Sequence, residues 1–394
     1  MSELKHGVSR RSIASWLGVA STAALVGCAA RAEGEPTAVT TAADTVAGAL
    51  TTIADLRDHA PLATESYAIV QGYYQAGDGG GGVFWWNPST TAADNGGTVI
   101  AVAGVATGRW CRALGEPGVL DLAWFGARAS AGSGAVNKAA LINALTVIAG
   151  WGRGTLQLAL LYPLGDDSDA SWLGVGVGVA SADGGALSAP VHHLTIAATV
   201  DGAGFQFARA TAAHTNAGLK FAGCTGLTLR GLTLDGGGQG LELVYLLGCR
   251  GATIERCTFQ NAITSFSLET TGGVDARIEG NHFAAGGGAK IGYISTVGAH
   301  EEGAHVVGNR FVTTGEMPGN RRAAVYAAIR NGVIANNSFE AAAAGVILLS
   351  DGLASEVCHA LTVTGNCFLG CDFGVRGDPT TSQGPAQPLT AIAI

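Results

Sequence analysis

Residues 254–259 read IERCTF, and the same pattern returns as IEGNHF at 278–283, VVGNRF at 306–311, IANNSF at 334–339 and VTGNCF at 363–368, with LRGLTL at 229–234 as a more divergent copy. The last residues of these segments, Leu234, Phe259, Phe283, Phe311, Phe339 and Phe368, are spaced by 25, 24, 28, 28 and 29 positions. Self-similarity at a period of roughly 20–50 residues marks a repeat architecture. Each unit holds short stretches in which apolar residues alternate, interrupted by Gly or Asn, which is the period-two signature of a strand followed by a tight turn. Helical repeats of this length would need amphipathic runs of about ten residues, and the units lack them. Strands so short bury an apolar face only by stacking on the next unit, so each repeat reads as one coil of a parallel β-solenoid. Two residues before the final Phe stands a column of amides, Asn281, Asn309, Asn337 and Asn366. At a strand spacing of about 4.8 Å such amides bond to one another and to the turn backbone, so the column is read as a structural ladder.

On these coils and this ladder the chain resembles the right-handed parallel β-helix proteins of the pectate lyase superfamily. The resemblance extends N-terminally. Residues 67–112, with YAIVQGYYQAGDGGGGVFWWNPS, DNGGTVIAV and GRWCR, look like the small β module preceding the helix in many tailspike and bacterial β-helix proteins. Residues 120–128, LDLAWFGAR, are similar to the opening strand of the pectate lyase 3 domain, and 137–148, NKAALINALTVI, suit a short helix that caps the open end of the solenoid. Where that family commonly carries an acidic GDGxxDDT stretch, this chain has SAGSGAVNK. The expected fold is therefore all-β: a right-handed single-stranded parallel β-helix with a small N-terminal β module and a short capping helix. The expected organisation is 1–27 export signal, 28–47 tether, 48–118 N-terminal module, 119–378 β-helix and 379–394 C-terminal tail.

Composition agrees with a globular, Gly-punctuated body. Of 394 residues 61 are Gly, 47% are apolar and 13% are charged, against about 25% charged in an average soluble protein. That excludes an intrinsically disordered chain and a coiled coil. A net charge of -8 and a pI near 5.6 exclude a general nucleic-acid binder. Arg10-Arg11, the apolar run 13–26 and Leu25-Val26-Gly27-Cys28 resemble a twin-arginine export signal ending in a lipobox, which implies lipidation of Cys28 and a periplasmic, cell-surface or secreted location, with the membrane reached only through that anchor. The seven remaining cysteines show no spacing that suits a metal site, so no metal ligands are assigned. Cys224 and Cys249, in the matching contexts FAGCTG and LLGCRG, are either a disulfide or an unbridged stacked pair. The Gly-rich runs 77–82 and 235–240 lack the Lys-Ser/Thr of a phosphate loop and read as turns.

The core of a solenoid is filled with apolar and small side chains, so chemistry belongs on an outer face. By resemblance to the superfamily's first sheet, the face to examine is that of the strand after each Phe turn, expected near 241–246, 265–270, 289–295, 324–330 and 345–351. Alternation puts Leu241, Leu243, Phe266, Leu268, Val325 and Ile329 inward and Glu242, Glu269, Lys290, Tyr326 and Arg330 outward. Two insertions, VGAHEEG at 297–303 and VTTGEMPGNRR at 312–322, flank the same face and gather His300, Glu301, Glu302, Glu316, Arg321 and Arg322 near Lys290. Two chemistries fit. In β-elimination on a uronate, a cation or Ca2+ neutralises the carboxylate while a Lys, Arg, Tyr or His removes the C5 proton, roles that Lys290, Arg330, Arg321, Arg322 and Tyr326 can divide. In hydrolysis, paired carboxylates such as Glu242 with Glu269, or Glu301 with Glu316, face each other across the bond. The expectation is an exported enzyme that cleaves a polysaccharide, lyase ahead of hydrolase, with His300, Glu301, Glu316, Arg321 and Arg322 holding substrate. A non-catalytic glycan-binding surface protein is the alternative, and an oligomer is left open.

Overall fold

The computed structural model describes residues 45–46, 48–164, 173–176, 186–207, 218–239, 242–262, 266–284, 288–291, 300–312, 323–340, 344–349, 358–378 and 392–394. The chain divides into two units, residues 1–126 and 127–394.

In the first unit a five-stranded sheet has the order Thr45–Val46, Glu65–Val70, Gly82–Asn87, Arg109–Arg112, Val99–Ala101. Its first pair is parallel and the rest are antiparallel. Helix α1 (Ile53–Asp58) starts with a capping box in which the Thr52 hydroxyl accepts from the Asp55 N–H and the Asp55 carboxylate accepts from the Thr52 N–H. Ile53 and Leu56 project from it into a core with Ala68, Val70, Phe84, Ile100 and Trp110. The Gly-rich run 77–82 has a local purpose. The Asp78 carboxylate accepts from the N–H groups of Tyr73, Tyr74, Gln75 and Gly80, and the Gly80 and Gly81 carbonyls accept from the guanidinium of buried Arg112. Phe84 and Trp124 lie 4.5 and 4.9 Å from the same guanidinium carbon, and burial lowers its pKa to about 9. The run cages an arginine of its own chain.

The second unit opens with helix α2 (Gly134–Trp151), three residues longer at each end than the segment read from sequence and ended by Gly152 at φ 75°. Buried Asn137 fixes its start by accepting from the Arg128 N–H and donating to the Arg128 and Pro163 carbonyls. The helix packs on Gly154–Leu158 and Leu161–Leu164, and so lies against Leu161–Leu164, the edge strand of its sheet.

From there each coil visits three parallel sheets. A representative coil runs Val244–Leu247 in sheet I, Thr253–Glu255 in sheet II and Thr258–Ala262 in sheet III, and the next begins at Leu268–Thr271, again in sheet I. Between sheets II and III the chain turns in two residues. In the six coils from Thr228–Arg230 onward the first has φ between 52° and 66° (Gly231, Arg256, Gly280, Gly308, Asn336, Gly365), a region that favours Gly and tolerates Asn. The second is Leu232, Cys257 and then the four asparagines. Each Asn Oδ1 accepts from a backbone N–H one coil earlier, and those of Asn309, Asn337 and Asn366 accept the preceding amide Nδ2 as well, at 2.9–3.0 Å; each Nδ2 also donates to the carbonyl of Ile254, Ile278, Val306 or Ile334. The ladder read from sequence is thus a continuous chain of amides, buried but for Asn366, with no lost partner. Two residues on, Phe259, Phe283, Phe311, Phe339 and Phe368 stack with centroids 4.6, 4.5, 5.1 and 5.0 Å apart and rings within 9° of parallel. Burying one such side chain contributes about 2–3 kcal/mol, so the column is a main source of cohesion between coils.

Candidate functional site

Along sheet I one row of residues runs in register across the coils. Lys220 pairs with Tyr245, Tyr245 with Glu269, Glu269 with Lys290, Lys290 with Tyr326, Tyr326 with Ile347 and Ile347 with Arg376. Inward neighbours on the same strands, Leu219, Val244, Leu268, Ala289, Val325 and Val346, are all fully buried and hold the row to the surface by period-two alternation. At the N-terminal end of the row Lys220 and Tyr245 are half-buried, with the ammonium 5.4 Å from the ring centroid. Arg376 at the other end is exposed and lies 5.7 Å from the Phe373 ring. The middle of the row is covered: Glu269, Tyr326 and Ile347 are 4%, 9% and 2% exposed. Tyr326 belongs there to an apolar cluster with Phe266, Ala323, Ala328, Ala344 and Ile347, its ring 6.0 Å from that of Phe266.

A second group forms at the corner between sheets I and II. Residues Thr225, Arg250, Val274, Glu302, Arg330 and His359 follow one another in register there. The Glu302 carboxylate accepts from Asn331 Nδ2 at 2.6 Å and lies 3.9 Å from His300 Nε2. Burial, and then the Arg330 charge, lower the His300 pKa against the opposing pull of Glu302. The residue just before each member of this row points into the solenoid: Cys224, Cys249, Glu301, Ile329 and Cys358 are all buried, with Gly273 between Cys249 and Glu301. The Cys224 and Cys249 thiols are free, each sulfur approaching a backbone carbonyl, so this pair is unbridged.

The structure therefore separates side chains that the sequence grouped together. Glu269, Lys290 and Tyr326 share the expected row, Lys290 by its backbone register. Glu242 does not share it. Leu243 and Val244 are both fully buried, which breaks the alternation, and the strand starts at Val244 with Tyr245 as its outward residue. Arg330 leaves the row because sheet I ends at Ala327 and Arg330 pairs instead with Glu302 at the corner. Glu301, expected in an exposed loop over the groove, is 2% exposed and faces the core, because Gly273 on the neighbouring coil leaves room for its carboxylate. His300 is half-buried beside Glu302. Glu316, Arg321, Arg322 and Cys28 lie outside the described residues, as does the export segment. Lys220, Tyr245 and Arg376 belong to the row but were missed from sequence. Their column sits 7 to 15 residues beyond the Phe or Leu ending the previous turn, so no fixed spacing reveals it. Among the described residues no group of three His, Cys, Asp or Glu side chains is placed to hold a metal.

Comparison with known families gives two matches. Residues 217–379 match the family described as right handed beta helix region, and residues 49–115 match the phage tail protein small four-stranded beta-sheet domain. The coiled unit is a right-handed parallel β-helix. A search of characterised protein sequences gives no match. Among solved structures, the full-length tailspike protein 2 of an Escherichia coli O157:H7 bacteriophage is similar at 15% identity and a TM-score of 0.46, over 84% of this chain and 47% of that one. The tailspike gp49 of Acinetobacter baumannii bacteriophage Fri1, a capsular polysaccharide depolymerase, is similar at 16% identity and a TM-score of 0.34, over 86% of this chain and 76% of that one. WceF of Pantoea stewartii, a glycan biofilm modifying enzyme, is similar at 14% identity and a TM-score of 0.37, over 86% of this chain and 48% of that one. The chain thus spans about half the length of the first and third of these proteins.

Proposed function

We propose that this chain is an enzyme that cleaves a polysaccharide, with β-elimination at a uronate as its chemistry. The observation that carries the reading is the sheet I row, in which Lys220, Tyr245, Glu269, Lys290 and Tyr326 occupy five consecutive rungs. At about 4.8 Å per rung the row from Lys220 to Arg376 is roughly 29 Å long, which suits an extended polymer better than a small metabolite. Its cations suit carboxylates and its aromatic rings suit sugar faces. In this reading the partly accessible Tyr245 takes the C5 proton, Lys220 and Lys290 neutralise the uronate carboxylate, with Ca2+ as the alternative source of charge, and the covered Glu269 sets the electrostatics of the row without touching the sugar. Tyr326 packs behind them in its apolar cluster. Hydrolysis asks for two facing carboxyl groups, about 5–5.5 Å apart for retention or about 6.5–9.5 Å for inversion. Among the described residues the row holds one carboxylate, Glu269, beside two lysines, and it is the lysines that support elimination. Export, with Cys28 as a lipid anchor, belongs to the same proposal and puts the enzyme where extracellular glycans are.

The test is incubation of the protein, with and without Ca2+, on a panel of uronate-containing and neutral polysaccharides, following the ultraviolet absorbance of an unsaturated uronate together with reducing ends. Both signals rising, and both falling at least about 100-fold in Tyr245→Phe, is the expected result. Reducing ends without absorbance would replace elimination by hydrolysis. Silence in both channels with retained glycan binding would leave a binding protein.

A further inference from the structure

The strongest anomaly in the molecule is the carboxylic acid at the inner corner between sheets I and II. The column there is otherwise built from thiols, one isoleucine and one glycine, and only Glu301 inserts a charged group. Its Oε2 accepts from the Gly273 N–H at 3.0 Å, and the Thr270 hydroxyl supplies a second hydrogen bond. A Cβ at Gly273 would collide with Oε1, so the glycine on one coil and the glutamate on the next are shaped for each other. Gly273 and Thr270 flank the end of Leu268–Thr271, the strand that presents Glu269 on the outer face.

Among the described residues, the groups around Glu301 supply no compensating cation. Cys249 faces it from the earlier coils with Cys224 behind, and contact with Cys224 and then burial disfavour the Cys249 thiolate. Ile329 faces it from the following coil. Glu269 points to the outer face, while His300, Glu302, Arg330 and Asp275 stand at the outer side of the corner. We infer that Glu301 is a positioning residue: its carboxyl group, seated inside the solenoid against Gly273 and Thr270, ties the Leu268–Thr271 strand to the next coil and thereby sets Glu269 in the row. Burial pushes the Glu301 pKa up to about 7, with the two hydrogen bonds pulling the other way. A folded carboxyl that binds its proton more tightly than the unfolded chain, whose Glu titrates near ~4.3, adds stability in acid that is lost as the pH climbs toward about 7. This is the reverse of the usual salt-bridged carboxylate. The stability argument stands without the enzymatic reading, and only the consequence for Glu269 rests on it.

The test is urea denaturation of the full chain at about pH 5 and about pH 8, for the wild type and Glu301→Gln, which keeps the shape and removes the titration. The unfolding constant of the wild type rises on the order of 50-fold more across that interval than that of Glu301→Gln. Equal slopes overturn the inference. If Glu301→Gln does not fold, the infrared band of a protonated carboxyl at about pH 6 in the wild type replaces it as the readout, and its absence overturns the inference. Hydrogen exchange of the 266–275 segment, corrected for intrinsic rate, accelerates above neutral pH in the wild type and stays flat in Glu301→Gln; a segment that behaves alike in both removes the positioning role. If no glycan is turned over, the enzyme reading falls while the slope and exchange results stand. If turnover is found and the slopes are equal, the brace alone falls.

Discussion

The turn between sheets II and III and the corner between sheets III and I are built by the same coils, yet one is constant and the other is not. At the first, two residues separate the strands in six successive coils and the same backbone conformation recurs, with a stacked Phe in the last five and a ladder Asn in the last four. At the second, seven residues lead from Phe283 to Lys290, fifteen from Phe311 to Tyr326 and eight from Phe339 to Ile347. The difference follows from what each place must satisfy. A two-residue turn buries its backbone polar groups, so from Cys257 to Asn337 each turn N–H takes the same acceptor, an Asn Oδ1 of the next coil. The outward row of sheet I answers only to the strand pairing beneath it, so its side chains differ rung by rung and can be placed for chemistry.

The sharpest way to break this comparison is to remove one rung of the regular side. Asn309→Ala leaves the buried Asn281 N–H and Nδ2 without their shared acceptor and the Ile278 carbonyl without its donor. Each buried unsatisfied group costs about 1–3 kcal/mol, so we expect a loss of about 3–4 kcal/mol in urea denaturation. Asn366→Ala, at a partly exposed final rung, should cost less than half of that. A loss below about 1 kcal/mol at Asn309 would mean that the ladder follows the turn and does not hold it.

On the irregular side the expected effect is smaller in stability and falls on turnover. Glu269→Gln preserves shape at a buried position of the row. Under the proposed function it lowers kcat by at least ~100-fold, about 2.7 kcal/mol of barrier, with the circular dichroism spectrum and denaturation midpoint little changed. A variant with full turnover would return Glu269 to an ordinary sheet residue. One that unfolds would make the carboxylate part of the scaffold, erasing the division between the two regions.

This asymmetry also explains what could be read before the structure. The Asn column and the Phe column stand at a fixed offset within each repeat, so the solenoid, its turns and its ladder were legible from spacing alone. Lys290, Glu269 and Tyr326 were found because their strands begin soon after the break in alternation. Tyr245 was hidden by one: Leu243 and Val244 are buried in succession, so counting by twos from Leu243 selects Glu242 instead. Glu301 was assigned to an insertion over the sheet face because VGAHEEG lengthens the repeat there. Its partner is a missing Cβ at Gly273 on another coil, and the absence of an atom leaves no mark in a linear pattern.

The finest probe of the regular side is the one rung where its rule is broken. Arg256 occupies the turn position that is Gly in four other coils and Asn in one, at φ 52°. An L side chain in this conformation costs about 1–2 kcal/mol, whereas Gly occupies it freely and loses about 0.5–1 kcal/mol through the extra freedom of the unfolded chain. Arg256 contacts Glu255 at 3.4 Å, but its side chain is 68% exposed, and a pair so open to solvent contributes little. Arg256→Gly is therefore expected to stabilise the protein by about 0.5 kcal/mol. The control is Asn336→Gly at the same turn position, φ 56°, where Asn already tolerates the conformation and the change should be close to zero. A gain at Arg256 without one at Asn336 in parallel urea titrations would show that the turn selects its residues by backbone conformation. Equal changes at both, or a loss at Arg256, would move that selection to the side-chain contacts around it, and the regular side of the solenoid would then follow the same rung-by-rung logic as the groove.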